Sequence, residues 1–64
     1  MEIAAKLLKI GDIFNIGFIK FEVIELELKA STVHLLIRQT RDKNAIYEDV
    51  TLYHDQIVIV DTLR

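Results

Sequence analysis

The chain has 64 residues, carries a net charge of −2 and is 52% hydrophobic, with neither cysteine nor proline. A chain of this length forms one domain at most and buries only about 60% of its extended surface. The absence of cysteine excludes disulfide staples and zinc fingers. No apolar run reaches the roughly 18 residues of a membrane span, so we expect no membrane association and a cytoplasmic location.

The hydrophobic content is high for a small domain that has no covalent staple. Either the core is unusually rich, or part of the apolar surface meets a second chain. Self-association is therefore one expectation. The nearly balanced charge lacks the basic excess that usually marks a nucleic-acid-binding domain.

The first ten residues have a helical pattern. Ile3, Leu7 and Ile10 recur at i, i+4 and i+7. Gly11 follows at the position where a C′ glycine ends a helix. The pattern predicts a short helix over residues 1–10, which either plugs an open end of a β-structure or docks its apolar stripe on a partner.

The stretch of residues 11–28 organises the rest of the chain as a short strand, a turn at Gly17 and one long strand. Apolar and polar residues alternate along the long strand until Val23 and Ile24, which are both apolar. Keeping the apolar side inward across this step requires a β-bulge or a bend. A corner of this kind lets one strand serve both sides of a small barrel.

Two further strands are predicted, over residues 32–40 and 46–53, joined by a polar hairpin turn over residues 41–44. Leu36 breaks the polar outer face of the first of them, which makes it a candidate contact residue. Tyr53 is expected to face outward at the end of the second. The expected inward side chains of the two strands are Val33, Leu35, Ile37, Val50 and Leu52.

The last strand, residues 56–60, is apolar on both faces, with Ile57 and Ile59 on one and Val58 and Val60 on the other. A short β-branched run of this kind is an aggregation hazard as a bare edge, and aspartates bracket it as charged gatekeepers do. The pattern predicts a central strand covered on both faces, or the seam of a dimer.

Five short strands joined by tight turns, with a bend in the second, resemble the layout of a small SH3-like barrel. The preceding helix also allows an Sm-like arrangement, in which barrels assemble into rings. The sequence therefore predicts a single all-β domain over residues 1–64, with a five-stranded barrel over residues 11–62 behind the helix of residues 1–10. The resemblance is one of layout and rests on no motif.

Residues suited to catalysis are few. Ser31 is the only serine, and the two histidines, His34 and His54, fall on different predicted elements. The two glycines form no phosphate-binding loop. The bend is expected to put the first glutamate of the long strand out of line with the next two, which favours a solvated face over an acid–base pair: Glu22, Glu25 and Glu27. We expect no enzymatic activity, no metal and no cofactor.

Three functions stay open. The preferred one is a protein-interaction or assembly module that contacts a protein partner or itself through an apolar strand face or edge, at Leu36, Tyr53, Val58 and Val60. The alternative is single-stranded nucleic-acid binding by basic and aromatic residues around the hairpin, at Arg38, Arg41, Lys43 and Tyr47. A further alternative is a small acidic inhibitor that places the glutamate strip in another protein's basic groove.

Overall fold

The computed structural model describes residues 1–42 and 44–61. Their six strands are β1 (Glu2–Ala4), β2 (Ile13–Ile16), β3 (Ile19–Leu28), β4 (Thr32–Gln39), β5 (Glu48–Tyr53) and β6 (Ile57–Val60). Neighbouring strands are antiparallel, in the sheet order β1-β6-β2-β3-β4-β5. The all-β class is confirmed. The described part of the chain has six strands rather than five, and its sheet is not closed into a barrel, because β1 and β5 remain as edges.

The predicted N-terminal helix is wrong. The chain begins with β1, in which Ile3 lies opposite Val58 of β6. Only one turn of 3₁₀ helix follows, over Ala5–Leu7. The sheet supplies hydrogen-bond partners for the backbone of β1, whereas a helix of ten residues is marginal on its own. No helix in the described ranges has the length and apolar character needed to cross a membrane.

The segment after β1 ties the two ends of the sheet together. The amide of Ala5 donates a hydrogen bond to the carbonyl of Gln56 (2.8 Å), and the amide of Lys6 donates to that of His54 (3.0 Å). Ala5 and Leu8 are buried in the core. The segment thus covers part of the core near the turn between β5 and β6.

The β-bulge predicted in the long strand is confirmed. The ladder between β3 and β4 shifts register between Val23 and Glu25, which leaves Ile24 as the extra residue of a β-bulge. Because a bulge moves the side-chain alternation by one residue, apolar side chains on both sides of it pack on the core. Those side chains are Phe21, Val23 and Leu26.

The hairpin of β2 and β3 has a two-residue turn, Gly17 and Phe18, flanked by the paired residues Ile16 and Ile19. Gly17 has φ = +62°, and no non-glycine residue in the described ranges has positive φ. Glycine at the first central position fits a type II′ turn, whose twist matches that of the strands. The predicted reversal at Gly17 is therefore confirmed.

The core lies on the inner face of the curled sheet. The inward alternation predicted for β4 is confirmed, since Val33, Leu35 and Ile37 are buried. Of the two alternatives predicted for the last strand, cover on both faces is wrong, because Ile57 and Ile59 are exposed. The seam of a dimer stays a prediction. The buried residues of the core are Ala5, Leu8, Phe14, Phe21, Val23, Val33, Leu35, Ile37, Leu52, Val58 and Val60.

Candidate functional site

The end of the β2–β3 hairpin exposes three apolar side chains, which we call the tip: Ile16, Phe18 and Ile19. Phe18 is fully exposed, at 106% of its reference area, and both isoleucines are more than two-fifths exposed. The ladder between β2 and β6 ends at Asn15, so the tip lies beyond it. A phenylalanine without cover at a tight turn adds nothing to the core. Its position is that of a side chain available to a partner.

A depression of about 200 Å³ lies beside the tip, lined by Phe18, Ile19, Lys20, Gln39 and Arg41. Lys20 forms an ion pair with Asp61. Arg41 is exposed and has no ion-pair partner among the described residues. The tip therefore combines an apolar surface with one uncompensated positive charge.

The carboxylate of Asp61 is held by two donors. Besides Lys20, the Nδ2 group of Asn15 donates a hydrogen bond to Asp61 Oδ1 at 3.1 Å. The hydrogen bond from Lys20, followed by that from Asn15, keeps the pKa of Asp61 below its ordinary value. These contacts fasten the chain after β6 to the base of the β2–β3 hairpin.

A larger depression of about 470 Å³, which we call the groove, lies along the far half of β3. It is lined by Ile10, Glu25, Leu26, Glu27, His34, Leu36 and Asp49. Leu36 supplies apolar surface from the outer face of β4, and Ile10, which is 68% exposed, supplies more. Leu26 borders the groove, but it lies opposite buried Leu35 and packs on the core. Three carboxylates stand around these apolar residues. The groove therefore suits an apolar segment that carries a positive charge.

The β-bulge determines which glutamates share the outer face. Glu22 lies opposite Arg38, Glu25 opposite Leu36, and Glu27 opposite His34. These three partners alternate along β4 on one face, so the three glutamates form a single row. The expectation that Glu22 stands out of line is wrong, because the bulge restores the phase that the double apolar step would otherwise reverse.

The carboxylates of the outer face differ in how they are neutralised. Oε1 of Glu22 lies 3.6 Å from Nη2 of Arg38. Oε1 of Glu27 lies 3.6 Å from Nζ of Lys29. In the groove, Asp49 Oδ1 lies 3.2 Å from His34 Nε2. Glu25 has no ion-pair partner in the described ranges. An incoming cation would therefore meet Glu25 first, with Asp49 on the other side of the groove.

The residues predicted to contact a protein partner occupy three different environments. Leu36 is half-buried and lines the groove, and Tyr53 is 67% exposed at the end of β5. Val58 and Val60 are buried in the core and present no surface to a partner. The outward residues of β6 are its two isoleucines, which are 60% and 51% exposed: Ile57 and Ile59.

Of the four residues predicted to contact nucleic acid, the structure brings Arg38 and Tyr47 together. The guanidinium of Arg38 stands 5.8 Å from the centre of the Tyr47 ring and also contacts Glu22. Arg41 lies apart from them, in the depression beside the tip. Lys43 lies outside the described residues.

The two histidines lie on different elements and contact different groups: His34 in β4 lies beside Asp49, and His54 lies in the turn after β5. His54 Nε2 lies 3.0 Å from the carbonyl oxygen of Thr32, and its backbone amide donates to the carbonyl of Ser31. Because a carbonyl only accepts, Nε2 of His54 carries the proton. Within the same ranges, no group of three or more histidine, aspartate or glutamate side chains could hold a metal ion.

Phe18 is the exposed residue that the strand pattern missed, because it falls in phase with the polar face of β3. The available signal was the two-residue turn that begins with glycine and lies between two isoleucines. Comparison of the chain with models of protein families, with curated proteins and with solved structures finds no match.

Proposed function

We propose that this protein is a non-enzymatic interaction module that assembles with itself through exposed apolar side chains. The observation that carries the proposal is the amount of large hydrophobic surface left outside the core. Among the described residues, twelve large hydrophobic side chains are exposed, against eleven residues in the core. They are Met1, Leu7, Ile10, Ile16, Phe18, Ile19, Leu28, Ile46, Tyr47, Tyr53, Ile57 and Ile59.

Clustering supports the proposal more than the number does, since single exposed hydrophobic residues are common on protein surfaces. Three of the twelve form the tip. Two more, Ile57 and Ile59, share the outward face of β6. Apolar surface gathered in this way is typical of sites that meet another protein.

The layout of the sheet supports an assembly role as well. Strands β2 to β5 form a meander, and β6 returns to pair with β2. We propose that this is an SH3-like or Sm-like layout with an added N-terminal strand.

We propose a cytoplasmic location from the composition, which lacks cysteine.

Sedimentation equilibrium of the intact chain across a concentration series tests the proposal. We expect a dimer or larger species whose population rises with concentration. Raised salt should weaken the association only modestly, because apolar contact supplies most of it. A chain that remains monomeric at its highest soluble concentration contradicts the proposal.

A second candidate is the binding of single-stranded nucleic acid, favoured by the position of Arg41 beside the exposed ring of Phe18. Bases stack on aromatic rings next to basic side chains in many small binding domains. A labelled oligonucleotide should then bind the chain with an affinity that falls steeply with salt. Phe18→Ser and Arg41→Gln should each weaken binding. Absence of binding at low salt excludes this candidate.

The acidic-inhibitor candidate gains one feature, since the three glutamates do share a face. Two of them already contact cations of the same chain: Glu22 and Glu27. Only Glu25 would be offered to a basic groove without first breaking a contact. We therefore rank this candidate below the other two.

A further inference from the structure

We infer that copies of this chain join head to tail, with the tip of one copy seated in the groove of the next. This inference rests on the proposed self-association and specifies its two surfaces. The tip carries the fully exposed Phe18, and the groove is a depression of about 470 Å³ that is partly lined by apolar side chains. The tip supplies a projecting aromatic side chain next to a positive charge, and the groove supplies a depression bordered by carboxylates.

Both surfaces expose apolar side chains that can contact one another. The tip projects a fully exposed phenylalanine between two partly exposed isoleucines. The groove offers Leu36 and Ile10 in a volume of about 470 Å³. An aromatic side chain that enters a pocket is the usual centre of a protein–protein contact. Phe18 is accordingly the anchor of the proposed interface.

The charges are complementary. The depression beside the tip carries Arg41, which has no ion-pair partner among the described residues. The groove carries two carboxylates, Glu25 and Asp49. Glu25 has no ion-pair partner among the described residues, and Asp49 lies beside His34. Opposite charges at the edge of an apolar contact fix its orientation and disfavour tip-to-tip or groove-to-groove pairing. The complementarity therefore selects a contact between unlike surfaces of two copies.

The two surfaces lie at opposite ends of β3. Ile19, in the tip, and Leu26, in the groove, are seven residues apart, or roughly 23 Å along an extended strand. The described residues extend 33 Å along their longest axis. One copy can thus use both surfaces at once. Contacts between unlike surfaces close into a ring or continue as an open chain, depending on the rotation between copies.

Two variants, each defective in one surface, test the inference. Phe18→Ser removes the anchor, and serine suits a turn whose first central residue is glycine. Leu36→Lys removes apolar lining and adds a charge that repels Arg41. The new ammonium lies opposite Glu25, a favourable cross-strand pair that protects the fold. Circular dichroism checks both folds, and Glu25→Lys replaces Leu36→Lys if the latter unfolds.

Each variant alone should be monomeric where the wild type associates, with a dissociation constant raised by about 30-fold or more. Mixed together, they should form a 1:1 heterodimer of wild-type affinity, because the mixture retains one intact tip and one intact groove. The heterodimer should not grow further. Asp55→Asn, at an exposed position in the turn between β5 and β6, lies outside both surfaces and is the control, which should associate as the wild type does.

Three results would overturn the inference. If the wild type associates but the mixed variants form no heterodimer, the contact is not head to tail. If Phe18→Ser associates as well as the wild type, the tip is not the anchor, although the proposed self-association stands. If the wild type is monomeric and binds an oligonucleotide through Phe18, the tip belongs to a nucleic-acid site, and the proposed function fails with the inference.

Discussion

Replacing two neighbouring residues of β6 by the same side chain tests which face of this strand belongs to the core. Val58 is 7% exposed, whereas Ile59 is 51% exposed. Val58→Thr exchanges a buried methyl group for a hydroxyl of nearly the same size. Burying a hydroxyl without a hydrogen-bond partner costs about 1–3 kcal/mol. A domain of this length has a total stability of roughly 3–10 kcal/mol, so the loss is a large fraction of it.

Ile59→Thr retains a β-branched side chain at a half-exposed position. A buried methylene contributes about 0.8 kcal/mol, so this change should cost less than about 1 kcal/mol. For a loss of about 2 kcal/mol, the melting temperature of Val58→Thr should fall by roughly 8–16 °C. That of Ile59→Thr should change little.

Urea denaturation followed by circular dichroism measures both costs, at a concentration where the chain is monomeric. The midpoint for Val58→Thr should fall while the m-value stays constant, as expected when stability alone changes. An equal or larger loss for Ile59→Thr would refute the assignment of the two faces. The Ile57–Ile59 surface would then be covered within the monomer.

Three other predictions concern single contacts. Gly17→Ala should destabilise the fold by about 1–2 kcal/mol in the same assay, because an L-residue is strained at the φ of +62° found there. No atom lies within 4 Å of the added methyl group, so this backbone strain is the whole expected cost. An unchanged midpoint would contradict the turn. His54→Leu removes the donor to the Thr32 carbonyl and should lower the free energy of unfolding by about 1 kcal/mol. A heteronuclear NMR spectrum of the wild type in which Nε2 of His54 carries no proton would contradict the contact. Asp61 should titrate by NMR below its ordinary pKa, and Lys20→Met should raise that pKa. Because the pKa is lowered in the folded state, the contact with Lys20 stabilises the fold fully above the unfolded-state pKa. This stabilisation is lost as the pH falls through the folded-state pKa.

Local pattern was sufficient for the middle of the fold. The alternation of Val33, Leu35 and Ile37 predicted the inner face of β4. The adjacent pair Val23 and Ile24 predicted the bulge, because only an extra residue keeps apolar side chains inward on both sides. In both cases the information lies within a few neighbouring residues of one strand.

Distant pairing determined what the pattern missed. The spacing of Ile3, Leu7 and Ile10 fits a helix, yet residues 2–4 are a strand because β6, more than fifty residues away, pairs with them. The two faces of β6 are equally apolar, so its register against β1 and β2 decides that Val58 is buried. Local periodicity contains no information about either choice.

The candidate surfaces were only partly visible in the sequence. Leu36 was marked by its place on an otherwise polar face, and it lines the groove. Phe18 occupies a turn, where strand alternation does not indicate which side chains are exposed. The groove joins residues from β3, β4 and β5 with Ile10, and such a combination follows from the folded sheet alone.

The most direct test of self-association through exposed apolar surface is sedimentation equilibrium of the wild type beside Phe18→Ser over the same concentration series. The account predicts a concentration-dependent dimer or larger species for the wild type and a monomer of unchanged circular dichroism for the variant. A wild-type chain that remains monomeric throughout would contradict it.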